Sequence, residues 1–400
     1  MTIQRFHFPT AISYGPGARH LLSSLTQSND QHKPLVVTDS GIAALPLLAQ
    51  VTDSLSKEDI EFTVFSDFQG NPLHSHVIAG VEHYKAHSND AIIALGGGAA
   101  LDVAKAIALM VDHEGDLFDY EDGLENARPV DASKIPYMVA IPTTAGTGSE
   151  VGRSAVISDD ETRKKRIIFD PSLLPVAALM DPELTLDLPA HITASTGLDA
   201  MSHLIEAYVA PGFSPLCDGI ALEGLRLIAG SLLPCYHIAM ERVHTKTFDE
   251  ETLAHQLDMR GKMLMASLMG ATAFQKGLGV THSMAHSLST VHDLHHGLAN
   301  GILLPYTMTF NGEAVPERLA DMARAVGATE HSVEGFVNYL RELQQAMSIP
   351  SQLSEVHVDE ERIDALVQYA LADGCHQLNP RPVSQEDFHT LFQSAINGTL

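Results

Sequence analysis

The histidine spacing in residues 276–300, KGLGVTHSMAHSLSTVHDLHHGLAN, constrains the fold more than any other feature of this 400-residue chain. Five of the 22 histidines fall here, His282, His286, His292, His295 and His296, among small and apolar residues. His282 and His286 are four apart and share one face of a helix. His282 and His296 are fourteen apart, which on an unbroken helix separates them by about 21 Å. No ion bridges that gap, so the chain has to turn between them if both are ligands. Ser289, Thr290, Asp293 and Gly297 suit such a break. Upstream, Asp199 and His203 repeat the i,i+4 spacing. Two such pairs on separate helices, plus one His after a turn, build an Asp/His3 site without cysteine. That donor set suits Zn2+ or Fe2+. The competing explanation is a set of ordinary surface or core histidines; the apolar, Gly/Ala-rich setting of both pairs weakens it.

The first half of the chain alternates strand and helix patterns. PLVVTD at 34–39 and AIIAL at 91–95 read as buried parallel strands. GGGAALDVAKAIALM at 96–110 opens a helix, and VAIPTTAGTGSEVG at 139–152 is a third strand running into a Thr/Gly-rich loop. The alternation predicts a parallel α/β domain over residues 1–185. DPELTLDLPAHITAST at 181–196 carries the boundary, with its two prolines and small polar residues. Helical patterns at 196–210, 216–232, 251–275 and 316–327 then predict an all-helical domain over 186–400. Two domains also suit the length, which exceeds what one core usually holds.

Several classes are excluded. No apolar run reaches 18 residues, which argues against a membrane span. The start, MTIQRFHFPTAISYG, lacks a basic region followed by an apolar core, so it does not read as a secretory leader. Cys217, Cys235 and Cys375 are scattered and odd in number, which suits a reducing cytoplasm. A formal charge of −26 opposes binding to nucleic acid or anionic membranes.

Gly96, Gly97 and Gly98 follow a strand and leave backbone N–H groups bare at a helix N-terminus, which attracts a pyrophosphate. They do not form G-x-G-x-x-G, because Leu101 takes the last glycine position, and a tight turn explains them as readily. The loop Thr143–Glu150 changes the balance. It offers hydroxyls and flexible amides at the end of another parallel strand, where ligands of such sheets bind. Asp39 ends the first strand, where a carboxylate accepts from ribose hydroxyls and repels a 2′-phosphate. A solvated loop acid is the alternative there. Asp102 and Lys105, three apart, would on spacing alone be a surface pair worth about 0.3 kcal/mol.

TGLDAMSHLIEAY at 196–208 and THSMAHSLSTVHDLHHGLANGILLP at 281–305 resemble the paired metal-ligand motifs of the iron-containing (group III) alcohol dehydrogenases. The resemblance runs from YGPGA at 14–18 to NPRPVSQED at 379–387. GGGAALDVAK resembles the family motif GGG-S-x-x-D-x-x-K, with Ala99 replacing the usual Ser, and IPTTAGTGSE resembles its second nucleotide loop. The resemblance implies a Rossmann-like parallel α/β domain followed by an all-helical metal-binding domain, a dehydroquinate synthase-like fold. It implies one divalent metal per chain on Asp199, His203, His282 and His296, Fe2+ by family with Zn2+ admissible. It implies NAD contacts from Asp39, Asn71, Gly97, Gly98, Asp102, Thr143, Thr144, Thr147, Lys165, Leu184 and Leu188, with Lys105 near the cofactor. His286 matches a second family histidine near the substrate and is the implied proton relay; His295, where many relatives carry Pro, receives no role.

The implied activity is NAD(H)-linked alcohol dehydrogenase or aldehyde reductase, acting on a small-molecule alcohol or aldehyde, in a homodimer or larger homo-oligomer. Arg153 and Lys276 fall where lactaldehyde reductase members of the family have uncharged residues beside the substrate. Charges there would attract an acidic group, as in succinate semialdehyde; pairing with local acids such as Glu150 is the other explanation. The alternatives are a generalist short-chain alcohol or 1,2-propanediol dehydrogenase, a dehydroquinate synthase-like lyase, and a non-catalytic metal-binding or filament-forming protein. The lyase would need a dense Lys/Arg cluster that the sequence lacks. The intact loops and ligand set argue against the structural protein.

Overall fold

The computed structural model describes residues 10–242 and 249–400; the first nine residues of the N-terminal stretch considered above lie outside the described residues. The described residues divide into two compact units, 10–144 with 148–186, and 145–147 with those of 187–400.

The first unit is built on eight strands: β1 (Ala11–Tyr14), β2 (Pro34–Val37), β3 (Thr63–Phe65), β4 (Ala91–Gly96), β5 (Tyr137–Pro142), β6 (Ser154–Ser158), β7 (Lys165–Phe169) and β8 (Ala177–Met180). Six form one parallel sheet in the order β1-β8-β5-β4-β2-β3, and β6 and β7 pair antiparallel as a separate ribbon. Helices α1 (Leu22–Ser28), α2 (Ser40–Ala43), α3 (Pro46–Lys57), α4 (His74–Ala86) and α5 (Gly98–Met110) connect the strands. Every residue of β4 is buried, because helices cover both faces of a parallel sheet. Alternate residues separate into two cores. Leu35, Val37, Ile92, Ala94, Met138 and Ala140 pack with Leu101, Ala104 and Ile107 of α5. Val36, Ile93, Leu95, Val139 and Ile141 pack on the other side with Leu22, Val51 and Leu55. A one-residue slip would exchange the two sets, so the pattern fixes the register. Strands β1, β3 and β8, like β2, are only three or four residues long.

The second unit has nine helices among its described residues and no strand: α6 (Ala190–Val209), α7 (Pro215–Arg242), α8 (Glu250–Ala273), α9 (Val280–His292), α10 (His296–Gly312), α11 (Pro316–Val326), α12 (Val333–Ala346), α13 (Ile363–Ala372) and α14 (Gln385–Asn397). Helix α6 is buried on almost all sides, its polar Asp199, His203 and Glu206 included. Helices α7, α8 and α10 pack against it. It starts after Pro189 and ends before Pro211, whose ring disfavours a helical residue ahead of it. Asp293 ends α9 in the left-handed conformation, φ 52°, and α10 begins at His296. The turn required by the His282–His296 spacing therefore falls at 293–295. Gly297 serves another purpose: a Cβ there would clash with the Ser195 carbonyl oxygen, so only glycine lets α10 meet α6 at backbone contact. Among the described residues no helix is long and apolar enough to cross a membrane.

Candidate functional site

In the helical unit, three helices converge. Helix α6 supplies Asp199 and His203, α9 supplies His282, and α10 supplies His296 and Asn300. Asp199, His203 and His282 are 3%, 5% and 1% exposed, which isolated carboxylates and imidazoles rarely tolerate. One ligand atom from each of the three lies within 4.8 Å of the others. The rings of His203 and His282 stack at 4.8 Å between centroids, and His296 is 5.4 Å from His282. His296 Nε2 is 3.4 Å from Asp199 Oδ1.

Glu206 was not singled out in the sequence, although it lies three residues after His203 and seven after Asp199 on the same face of α6. Its carboxylate is buried and accepts three bonds, from His282 Nδ1 at 2.7 Å, Gly279 N at 2.8 Å and Thr281 N at 2.7 Å. Burial alone would raise its pKa, yet the bonds from His282, Thr281 and Gly279 leave it lowered. The two amides belong to the start of α9, where the helix dipole favours an anion. Glu206 thereby holds the proton of His282 on Nδ1 and leaves Nε2 as a lone-pair donor, the arrangement of a carboxylate–histidine–metal triad. Burial disfavours charge on His282, but Glu206 more than offsets this and its pKa rises. Burial pushes His203 down to about 4, so that imidazole is neutral near pH 7.

The donor set passes a direct test of fit. Asn300 Nδ2 sits 2.8 Å from Asp199 Oδ1, 3.2 Å from His296 Nε2 and 3.5 Å from His282 Nε2. Three acceptors converge on an amide with two protons, while its own Oδ1 is buried without a donor among the described residues. A divalent cation satisfies such a convergence of lone pairs better than an amide does, and one carboxylate with three imidazoles is a ligand set for Fe2+ or Zn2+.

His286, one turn after His282, is half-buried and stacks on His296 with centroids 5.0 Å apart. Its Nδ1 is 2.8 Å from Asp373 Oδ2. Burial opposes ionisation of Asp373, but His286, the Cys375 amide and Ser283 hold its pKa well below the usual carboxylate range. His295 caps α10 through Nδ1, which accepts from Leu298 N at 3.3 Å. Lys276 is committed locally. Its ammonium donates to Asp218 and to the Tyr208 carbonyl, and Arg318 uses the same two acceptors. The charge expected to face a substrate anion is thus balanced by Asp218 inside the helical unit. Arg260, unremarked in the sequence, is 5% exposed and bonds to Thr193 Oγ1 and to the carbonyl of Leu188. Thr147 is half-buried in this same unit.

The α/β unit brings Asp39, Gly96–Gly98, Thr143 and Thr144 together at the carboxyl ends of β2, β4 and β5. Thr143 N donates to the Gly96 carbonyl at 3.0 Å, and a Cβ on Gly97 would lie 3.3 Å from Thr144 Oγ1. Gly96 has φ +144°, and a Cβ there would lie 2.7 Å from that of Ala100, so no side chain fits. Among the described residues no side chain caps α5, whose first amides open onto this cradle. A bare helix start lined by glycine and threonine fits a pyrophosphate. Asp39 is half-buried, and its Oδ1 caps α2 by accepting from Ile42 N at 3.0 Å.

Asp102 and Lys105 are not a surface pair. Lys105 is 1% exposed and donates to Ser149 Oγ at 2.7 Å and the Ser154 carbonyl at 3.0 Å. Ser149 Oγ donates in turn to Asp102 Oδ1 at 2.7 Å, while Asp102 Oδ2 accepts from Val156 N. The network pins the end of the Thr/Gly loop to α5. Burial lowers Lys105 to about 8, against the pull of Asp102 and Glu150. Glu150 is 2% exposed and burial raises it to about 7. Asn71 is exposed ahead of α4, Lys165 starts β7, Leu184 is buried, and Leu188 is half-buried in the helical unit. Arg153 lies 5.3 Å over the Phe169 ring.

Comparison with known proteins covers nearly the whole chain. The family model described as iron-containing alcohol dehydrogenase matches residues 9–182, and the C-terminal model of the Fe-containing alcohol dehydrogenase family matches 193–396. The chain is 34% identical to a 4-hydroxybutyrate dehydrogenase of Cupriavidus necator, over 98% of this chain and 99% of that one. It is similar to the crystal structure of a 1,3-propanediol oxidoreductase, with TM-score 0.88, 32% identity and coverage of 98% and 100%. A sulfoacetaldehyde reductase from Bifidobacterium kashiwanohense, solved with NAD+, superposes with TM-score 0.86 at 27% identity, covering 99% of each chain.

Proposed function

This chain belongs to the iron-containing alcohol dehydrogenase family, and from that premise we propose which of its residues carry the reaction. It is an NAD-linked, metal-dependent alcohol dehydrogenase that transfers hydride between a small alcohol and nicotinamide. Asp199, His203, His282 and His296 hold one divalent ion, Fe2+ by family. The observation that carries this assignment is the convergence of Asp199, His282 and His296 lone pairs on Asn300 Nδ2. A bound ion there supplies a Lewis acid that polarises the substrate C–O bond and lowers the alcohol's pKa.

The other steps belong to the chain itself. Glu206 keeps the His282 proton on Nδ1. Asp373 orients His286 through Nδ1, so its Nε2 takes up and returns the hydroxyl proton. In the α/β unit, the amides of Gly97 and Gly98 and the hydroxyls of Thr143 and Thr144 hold the pyrophosphate. The Asp39 carboxylate accepts from ribose hydroxyls and selects NAD over NADP. Asn71, Asp102, Thr147, Lys165, Leu184 and Leu188 complete the cofactor set carried by family resemblance. Three free thiols suit a reducing cytoplasm. Edge strand β1, with Ile12 44% exposed, suits a homo-oligomer.

The test is to strip metal with a chelator, confirm that alcohol-dependent NAD reduction stops, and restore it with Fe2+ or Zn2+. Turnover that survives complete metal removal would refute the reading. A second reading concerns the substrate. The relatives named for 4-hydroxybutyrate and sulfoacetaldehyde act on molecules with an acidic group. With Lys276 paired to Asp218, an acidic substrate here would rely on Arg153. Comparing kcat/KM for succinate semialdehyde and butanal in wild type and Arg153→Ala decides it. A preference for the acid that falls about tenfold supports the reading; an unchanged ratio leaves a generalist for short-chain alcohols.

A further inference from the structure

Beside the Asp/His3 cluster, helix α9 faces a second group of donors with a different chemistry. His286 Nδ1 meets Asp373 Oδ2 at 2.8 Å. Asp373 Oδ1 accepts from Ser283 Oγ at 2.8 Å and from Cys375 N at 2.9 Å. The Ser283 hydroxyl is itself oriented by His376 N, at 2.9 Å. One ligand atom from each of His286, Asp373 and Cys375 lies within 4.8 Å of the others, and all three residues are half-buried.

We propose that His286, Asp373 and Cys375 form a second divalent-cation site, selective for thiophilic ions such as Zn2+ and Cd2+. Zinc holds nitrogen and oxygen ligands at about 2.0–2.2 Å and sulfur at about 2.3 Å, so tetrahedral neighbours lie about 3.3–3.7 Å apart. The His286–Asp373 pair, at 2.8 Å, has to open by about half an ångström to reach that spacing, and the third ligand atom already lies within 4.8 Å of both. A carboxylate offers about four lone-pair sites. Two on Oδ1 serve Ser283 and Cys375 N; Oδ2 serves His286, and the Cys375 thiol also bonds this carboxylate, so the ion takes the positions of the two protons it displaces. The ion takes the place of the proton between Nδ1 and Oδ2. The displaced Nδ1 proton passes through solvent to Nε2, which keeps the imidazole neutral, and the thiol proton leaves to solvent. Sulfur distinguishes this site from the Asp/His3 cluster, which has none, and thiolate favours zinc and its heavier analogues over Mg2+ or Ca2+.

Occupancy has a consequence for turnover. It takes Nδ1 from Asp373 and locks the remaining proton on Nε2, so His286 no longer passes a proton. Excess zinc is therefore an inhibitor, distinct from the one equivalent that supports activity. The inhibition rests on the role proposed above for His286; the binding does not.

The experiment titrates Cd2+ into enzyme already loaded with one Zn2+, following the ultraviolet thiolate-to-cadmium charge-transfer band alongside calorimetry. The site predicts a band that saturates at one Cd2+ per chain. It disappears in Cys375→Ser and in Cys375→Ala, and Cd2+ affinity falls at least about tenfold in Asp373→Asn. Cys217 and Cys235, 0% and 1% exposed, are the internal controls. Excess Zn2+ should inhibit wild type, while Cys375→Ser with one Zn2+ turns over normally and resists the excess. No band, or a band undiminished without Cys375, overturns the site. A band at Cys375 without zinc inhibition upholds the site and overturns the proton role of His286.

Discussion

The two units present their proposed ligand-binding groups in opposite ways. The helical unit places side chains at the point of action: Asp199, His203, His282 and His296 project from three packed helices, held by Glu206. The α/β unit presents mainly backbone: Gly96–Gly98 and the bare start of α5, with Thr143 and Thr144 beside them. Its buried charged residues Lys105 and Glu150, with the half-buried Asp102, support the loop. A side-chain site fails when one residue is replaced. A backbone site survives most substitutions and responds to those that alter its support or its width. The predictions sharpen or break this contrast.

The largest effect is expected at His282. His282→Ala should lose the metal and lower turnover about a thousandfold or more, since a Lewis acid supplies several kcal/mol of the barrier reduction. Metal analysis of the purified variant checks it; full activity in a metal-free variant would end the assignment. NAD affinity, measured by nucleotide fluorescence, should change little, because the α/β unit is intact.

The buried support of the second region should be visible in stability. Glu150 is raised to about 7 from an ordinary 4.5 by burial. The folded state binds the extra proton between those values, so the contribution of Glu150 is fully present below about pH 4.5 and lost as pH rises through 7. Glu150→Gln, neutral at every pH, should be more stable than wild type above pH 7 by up to about 3 kcal/mol. The gap should close near pH 4.5. Urea unfolding across that range measures it, and a constant gap would mean Glu150 is not buried as a charge.

Glu206→Gln should weaken metal binding about 10–100-fold while leaving the four ligands in place. A drop in Tm without a change in metal affinity would make Glu206 a helix cap alone. Smallest is Asp39→Gly, which should relax NAD over NADP discrimination about tenfold, the loss of one charged contact. Glycine is tolerated as an N-cap to within a few tenths of a kcal/mol, so the fold should not suffer. Equal use of NADPH and NADH by wild type would contradict the role of Asp39.

The contrast also explains what could be read in the sequence. Residues with periodic side-chain patterns were legible. The i,i+4 spacings of Asp199/His203 and His282/His286 lie on α6 and α9, and PLVV, AIIAL and VAIP are β2, β4 and β5. Extending the α6 period by three residues reaches Glu206, so that signal was present and unused. Asn300, four after His296, is a similar case. Asp373 is different: 87 residues separate it from His286, and no local pattern joins them. The place of Lys276 was hidden for the same reason, since its partner Asp218 lies 58 residues away on α7. The short strands β1, β3 and β8 carry no period of their own and are defined only by their neighbours in the sheet. Residues 145–147, which lie with the helical unit, are called there by packing and not by composition.

The central claim is that the helical unit alone holds one divalent ion on Asp199, His203, His282 and His296. Equilibrium titration of metal-free protein with Co2+, read by its visible ligand-field bands, tests it most directly. Carried out in Cys375→Ser, which removes the thiolate of the second site, the titration should saturate at one ion per chain with a nitrogen/oxygen spectrum. The account predicts loss of those bands in His282→Ala and His296→Ala, and their retention in Gly97→Ala, which alters only the nucleotide cradle. Bands that persist without His282 and His296, or that vanish in Gly97→Ala, would contradict it.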